Sequence, residues 1–256
     1  MTKTVNTLVL GGALVLLAAC ASTSQPDRST PLAENVKGSG FMPEVYPLMK
    51  EGDKGESLLV YRNPEFASPV AFSRFKKIHL EPVKLYGGPE SKLHDAPQAQ
   101  STAIAQGLYD QLHEQLGRDY QMVDQAGPDT LQLSVAIIDA QEADTSLKAA
   151  SYVPIPLGLP GAKLAAMQTL QHTAGKPPFA GQVTVEGKMT DAGTGNLVAA
   201  MIDRRVGARK PIIGLFESST YDSWSDVTEA ERYWAEQVRY RFCVRRGESN
   251  CTQASE

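Results

Sequence analysis

The nine residues from Thr130 to Ile138 alternate strictly: Leu131, Leu133, Val135 and Ile137 fall on one side and Gln132, Ser134 and Ala136 on the other. A period of two belongs to a strand with one buried face. Such a strand needs paired neighbours and a layer over its apolar side, and this requirement organises the rest of the chain. Val183, Val185 and Met189 repeat the pattern against Thr184, Glu186 and Lys188. The turn at 191–196 (DAGTGN) then returns the chain into Leu197–Val206, which predicts a hairpin. Ile78 and Leu80 alternate with Lys77, His79 and Glu81, and Pro82 puts an edge or a bulge directly after them. Tyr120–Val123 reads as a short strand, and Ser57–Tyr61 as another inside an irregular, aromatic-anchored arm over 40–66.

The covering layer is helical. Ile104, Leu108, Leu112 and Leu116 recur every four residues after Pro97, with Gly117 as the expected stop. Val227, Ala230, Trp234, Val238 and Phe242 make a second stripe, for which Asp226 and Glu229 have the spacing of a cap and its box partner. A shorter helix is expected near 163–170. The expectation is an α+β domain, with a mixed or antiparallel sheet of about five strands packed with three helices in the order β-α-β-β-α-β-β-α.

The first residues belong to export. Lys3 precedes 12 residues, Leu8–Ala19, that are apolar or glycine, too few for the roughly 20 that a spanning helix needs. The run ends in Leu17-Ala18-Ala19-Cys20, which resembles the lipobox of bacterial lipoproteins. The resemblance implies a signal peptide over 1–19 and a diacylglycerol and an N-acyl chain such as palmitate on Cys20. These covalent lipids are the only cofactor expected, and two or more chains hold a protein stably to a bilayer. Ala21, in place of the aspartate that retains enteric-type lipoproteins at the inner membrane, implies the periplasmic face of the outer membrane. Residues 20–39 are polar and small and are expected to be a flexible tether, followed by one periplasmic domain over 40–246 and a tail over 247–256.

Without Lys3 the chain has 24 basic against 29 acidic side chains, so nothing favours nucleic acid as a partner. The membrane, through the lipid anchor, and an envelope protein are the partners expected. Cys243 and Cys251 stand close together near the C-terminus, and in an oxidising compartment they are expected to form a disulfide; a Cys243 buried in the helix with Cys251 loose is the alternative. No metal site is expected, since no histidine lies near the cysteines and His79, His94, His113 and His172 lack ligand spacing.

No nucleophile elbow, Ser-x-x-Lys, zinc-protease, Walker or dinucleotide motif stands in a fitting context. Asp139, Glu142, Asp191 and Asp203 lie near expected strand ends, where a pair could do acid–base work, although solvated turn residues are the plainer reading. Arg204-Arg205, Arg209-Lys210 and Arg245-Arg246 form local basic stretches, read as solvated surface ahead of lipid contacts. Val153-Pro-Ile155-Pro-Leu157-Gly-Leu159-Pro160 is apolar, yet its prolines bar it from a central strand or helix. Val153, Ile155, Leu157 and Leu159 are therefore either a cover for the sheet or an exposed patch that docks a partner.

Ser39-Gly40-Phe41, the run Ile78–Val83, residues 126–131 (AGPDTL), residues 190–195 (TDAGTG) and Trp224 followed by Trp234-Ala235 stand in an order that resembles the Gram-negative lipoprotein family known as domain of unknown function 3313. The resemblance covers nearly all of the mature chain and brings no activity or catalytic residues with it. The functional expectation is a lipid-anchored envelope lipoprotein with a non-enzymatic binding or accessory domain in the periplasm. The alternatives are an envelope hydrolase with an unrecognised carboxylate site and a subunit of a secretion or pore assembly.

Overall fold

The computed structural model describes residues 23–29, 38–88, 91–142, 181–207 and 224–254. Its longest strand contains the alternating run Thr130–Ile138. The strands are β1 (Thr23–Ser24), β2 (Lys50–Glu51), β3 (Leu59–Arg62), β4 (Lys77–Leu80), β5 (Lys84–Leu85), β6 (Gln121–Met122), β7 (Thr130–Gln141), β8 (Gln182–Asp191) and β9 (Leu197–Gly207). They form one sheet in the order β2-β3-β9-β8-β7-β4-β6, with β1 on β9 and β5 on β7. β7, β8 and β9 are antiparallel neighbours, while β4 and β5 run parallel to β7 and β6 runs parallel to β4. The class is α+β with a mixed sheet, as expected.

The strand count exceeds the expected five, because β1, β2 and β5 have two residues each and are too short to show a period. Pro82 separates β4 from β5 without ending the pairing: both lie on β7.

The helices among the described residues are α1 (Pro69–Phe72), α2 (Gln98–Gly117) and α3 (Ser225–Arg245). α1 was not expected, although Ser68 before Pro69 gives the cap signal and the Ser68 hydroxyl accepts from Ala71 N at 3.2 Å. The helix expected near 163–170 lies outside the described residues. α2 and α3 pack against each other and cover the face carrying Leu131, Leu133, Val135 and Ile137. All four leucine-type residues of the α2 stripe are buried, as are Val227, Ala230, Trp234 and Phe242 of α3.

Two helix ends differ from expectation. Asp226 does not cap α3; it sits in the first turn, buried, and its carboxylate accepts from Gly181 N at 3.0 Å. Glu229 pairs with Arg232 at 3.1 Å instead of closing a box. At the end of α2 the chain continues through Arg118 in a right-handed conformation, so Gly117 is not a left-handed stop.

The opposite face of the sheet is covered in part by the arm. Met42 and Val45 bury against Leu58, Ala200 and Ile202. The buried Glu186 carboxylate holds this arm by accepting from Ser39 N at 2.6 Å and from the Tyr46 hydroxyl at 2.8 Å.

Within the segment expected to be a tether, residues 23–29 lie on the body. Thr23 pairs with Gly207 and Ser24 with Val206, and Gln25 donates to Asp203 at 2.6 Å. Arg28 donates to the carbonyls of Asp53, Glu56, Ser57 and Leu58. Composition marked this stretch as too polar for a core, but its backbone and side chains instead satisfy groups at the β9 edge.

Candidate functional site

Gly187 stands in the middle of β8 on the helix-covered face, where its neighbours in the alternation are Val185 and Met189. A Cβ built on it would meet nothing closer than Met201 Cε at 3.7 Å, and its φ is not positive, so neither crowding nor backbone strain demands a glycine. A glycine inside a strand commonly marks a place where something else approaches the backbone. Here the space above it belongs to a cavity of about 320 Å³ between the sheet and the two long helices.

Its walls are apolar: Leu108 and Leu112 from α2, Val135 and Val185 from the sheet, and Trp234 and Phe242 from α3. Its size lies at the lower end of the range for small-molecule sites. Where the cavity meets solvent, the lining changes to Glu56, Arg62, Gln237, Arg241 and Arg245. Glu56 Oε1 lies 2.5 Å from Arg62 and 3.4 Å from Arg241. Gln237 Nε2 and Arg241 both donate to Gly55 O, at 2.9 and 2.5 Å. Burial pushes the Glu56 carboxyl up, but the hydrogen bonds from Arg62 and the Asp53 backbone, with both guanidinium charges, outweigh it and hold the group below its ordinary value. Arg245 is pulled down, first by burial and then by the charge of Arg62. Two guanidiniums thus share one carboxylate at the mouth, and Arg245 stands beside them on the Phe66 carbonyl. Gln237 Oε1 is buried with no hydrogen-bond partner among the described residues, an exception to the rule that buried polar atoms are satisfied.

A second hollow, of about 310 Å³, opens on the other face around Glu81, Gln132, Ser134 and Lys188. Its polar groups are already bonded to protein: Gln132 donates to Glu81, Lys84 to Glu81 at 3.3 Å, and Lys188 to Glu44 at 2.8 Å. It is the weaker candidate.

The carboxylates considered for catalysis are not brought together. Asp203 lies opposite Val185, six residues before Asp191 on β8, or roughly 20 Å along a strand. Three of the four are also not solvated turn residues. Asp191 is 4% exposed, pairs with Arg74 at 2.5 Å and ties its own hairpin through Gly193 N and the Thr194 hydroxyl. Asp203 is buried and accepts from Trp234 Nε1 at 2.7 Å, Gln25 Nε2 and Leu58 N. Asp139 accepts from Lys92 N at 2.9 Å and Gln182 Nε2 at 3.0 Å. Glu142 is exposed and follows the last residue of β7, in keeping with the solvated reading.

The basic stretches also depart from the surface reading. Arg205 is 1% exposed, donates to Thr23 O at 2.6 Å and stacks over Tyr233 with its Cζ 3.4 Å from the ring centroid. Arg204 donates to the Thr184 hydroxyl at 2.7 Å. Arg245 lies over Phe72, and Arg246 over Tyr120 with Glu248 beside it. Arg209 and Lys210 lie outside the described residues, as do Cys20, Val153, Ile155, Leu157 and Leu159.

Cys243 and Cys251 form a disulfide that returns the tail to the end of α3. Among the described residues there is no group of three potential metal ligands and no helix long and apolar enough to cross a membrane.

A family model described as "Protein of unknown function (DUF3313)" matches residues 37–238. No curated protein matches the chain. Among solved structures, a point variant of the PelC dodecamer from Paraburkholderia phytofirmans is 12% identical and covers 75% of this chain and 96% of its own, with a TM-score of 0.33. A second PelC dodecamer from the same organism, again 12% identical, covers 61% and 83%, with a TM-score of 0.31. Both scores are too low to carry an argument about fold or assembly. The match over 37–238 is sufficient by itself: the chain belongs to the DUF3313 family of proteins of unknown function.

Proposed function

We propose that this is a lipid-anchored lipoprotein of the bacterial cell envelope whose periplasmic domain is a binding module without catalysis, holding an apolar small molecule in the cavity over Gly187. The observation that carries the reading is the cavity itself: about 320 Å³ with apolar walls and a few polar groups confined to its mouth. Well-packed interiors leave few voids larger than a water molecule. The lipobox-like run ending at Cys20 supports the anchor, and the Cys243–Cys251 disulfide suits an oxidising compartment such as the periplasm. The hydrolase alternative is disfavoured, because Asp139, Asp191 and Asp203 are each occupied by structural hydrogen bonds.

The test is binding of N-phenylnaphthylamine, a neutral dye that fluoresces in apolar surroundings, to the mature chain carrying Cys20→Ala so that no detergent is required. Saturable fluorescence that decanol displaces, and that is lost in Gly187→Leu, is the expected result. Fluorescence that is absent, or unchanged by the substitution, overturns the reading.

A further inference from the structure

The mouth of the cavity has a chemistry of its own. Arg62, Arg241 and Arg245 line it together with one carboxylate, Glu56. Arg62 and Arg241 both lie against Glu56, so a single negative charge is shared between two guanidiniums, while among the described residues Arg245 reaches the Phe66 carbonyl and the Phe72 ring. The rim therefore keeps an excess of positive charge directly above an apolar interior. A cationic ligand would face like charges, and a purely apolar one would leave the guanidiniums unused. An anion placed at the rim gains charge-assisted hydrogen bonds from planar donors suited to carboxylate or phosphate oxygens.

The side chains are also free to respond. Arg62 and Arg241 are 47% and 34% exposed, so a ligand oxygen can displace water around them without opening the core. Below them Gln237 lines the cavity, and its buried Oε1 has no partner among the described residues. Around Leu108, Leu112, Val135, Val185, Trp234 and Phe242 the walls are apolar, and Gly187 supplies width where its neighbours Val185 and Met189 carry side chains.

We infer that the cavity takes an anionic single-chain amphiphile, its carboxylate or phosphate head held at Arg62, Arg241 and Arg245 and its hydrocarbon chain lying over Gly187. This rests on the reading of the cavity as a binding site and goes further by assigning the head group.

The experiment is displacement of N-phenylnaphthylamine from the Cys20→Ala mature chain by decanoate, decyl phosphate, decanol and decyltrimethylammonium, each below its micellar concentration. Decanoate and decyl phosphate should displace the dye at concentrations about tenfold lower than decanol, the factor that one charge-assisted hydrogen bond contributes. Decyltrimethylammonium should be the weakest. In Arg62→Gln/Arg241→Gln the two anions should fall to the level of decanol, while decanol itself is unchanged, which shows that the fold and cavity survive. Decanoate stronger than decyl phosphate assigns a carboxylate head, and the reverse order a phosphate. Equal displacement by all four ligands, insensitive to the double substitution, overturns the inference and leaves the apolar site standing. Failure of the dye to bind at all removes both.

Discussion

Glu231 lies between α2 and α3, 4% exposed, and it faces the one position in the interior of α2 that has no side chain. A Cβ on Gly107 would fall 2.6 Å from Glu231 Oε2. A glycine there costs the helix about 1 kcal/mol relative to alanine, and the room it leaves is taken by the carboxyl. Burial alone raises the group from 4.5 to about 8, so it is protonated in the folded protein at neutral pH. In the unfolded chain it ionises near the ordinary value. The folded state therefore binds the extra proton over this window, and stability present below about pH 4.5 is lost as the pH rises towards 8. At about 1.36 kcal/mol per pH unit the full loss is about 5 kcal/mol. Glu231→Gln removes the titration while keeping the shape of the neutral acid. The variant should match the wild type at pH 4.5 and exceed it at pH 9 by several kcal/mol, a rise in melting temperature on the order of 10 °C for a domain of this size. Burial also raises Glu186 and Asp203, but both are common to the two proteins and cancel in the difference. Urea titrations at pH 4.5, 7 and 9 are the assay. Parallel pH profiles for wild type and variant would refute the reasoning, because they would mean that Glu231 ionises in place or swings out to water.

Cys20→Ser should abolish incorporation of a clickable fatty acid in growing cells, since the thiol is the lipid acceptor; label retained on the variant sinks the anchor assignment. Gly187→Leu fills space that a Cβ enters without a contact below 3.7 Å, so it should stabilise the ligand-free domain by about 0.5–2 kcal/mol, and a lowered urea midpoint would contradict the cavity. Cys243→Ser with Cys251→Ser opens a loop of eight residues' separation and should cost about 2.5 kcal/mol in the chain-entropy model, read by thermal melting beside non-reducing mass spectrometry of the wild type.

The parts of the fold that were legible in the sequence are those longer than their own repeat. β7 shows four buried residues at period two, and α2 and α3 show stripes sustained through several turns, so tertiary context had little room to override them. β1, β2 and β5 have no period to show, and their pairing is decided by which edge happens to lie beside them. The charged residues of β9 were misread for a different reason. Arginine and aspartate are mostly exposed, which argues for surface, yet Met201, Asp203 and Arg205 share the helix-facing side, where Trp234 and Tyr233 of α3 supply an indole donor and a ring face. The signal was present as a strand charged on both sides, but the partners that make such burial affordable lie about 30 residues further on. A cavity is harder still, because it consists of side chains that are absent. Gly187 within Val185-Glu186-Gly187-Lys188-Met189 is its only trace in the sequence.

The N-terminal segment bears on how the proposed anchor and the cavity stand to each other. Thr23 pairs with Gly207, so if Cys20 carries the lipid, three residue steps of at most about 10 Å join the lipid to the sheet. A polar tether of about 20 free residues would let the body stand well away from the bilayer; a chain already held by Arg205, Gln25 and Arg28 does not. The end of the sheet near the membrane is then the one that carries Gly207, Gly181 and the start of α3, which Asp226 binds together through Gly181 N. Arg241 lies 16 residues along α3 from Ser225, or about 24 Å at the helical rise, whereas Glu56 at the same mouth is held through its carbonyl by Gln25 and Arg28, so the mouth reaches back to the segment that follows the proposed lipid site.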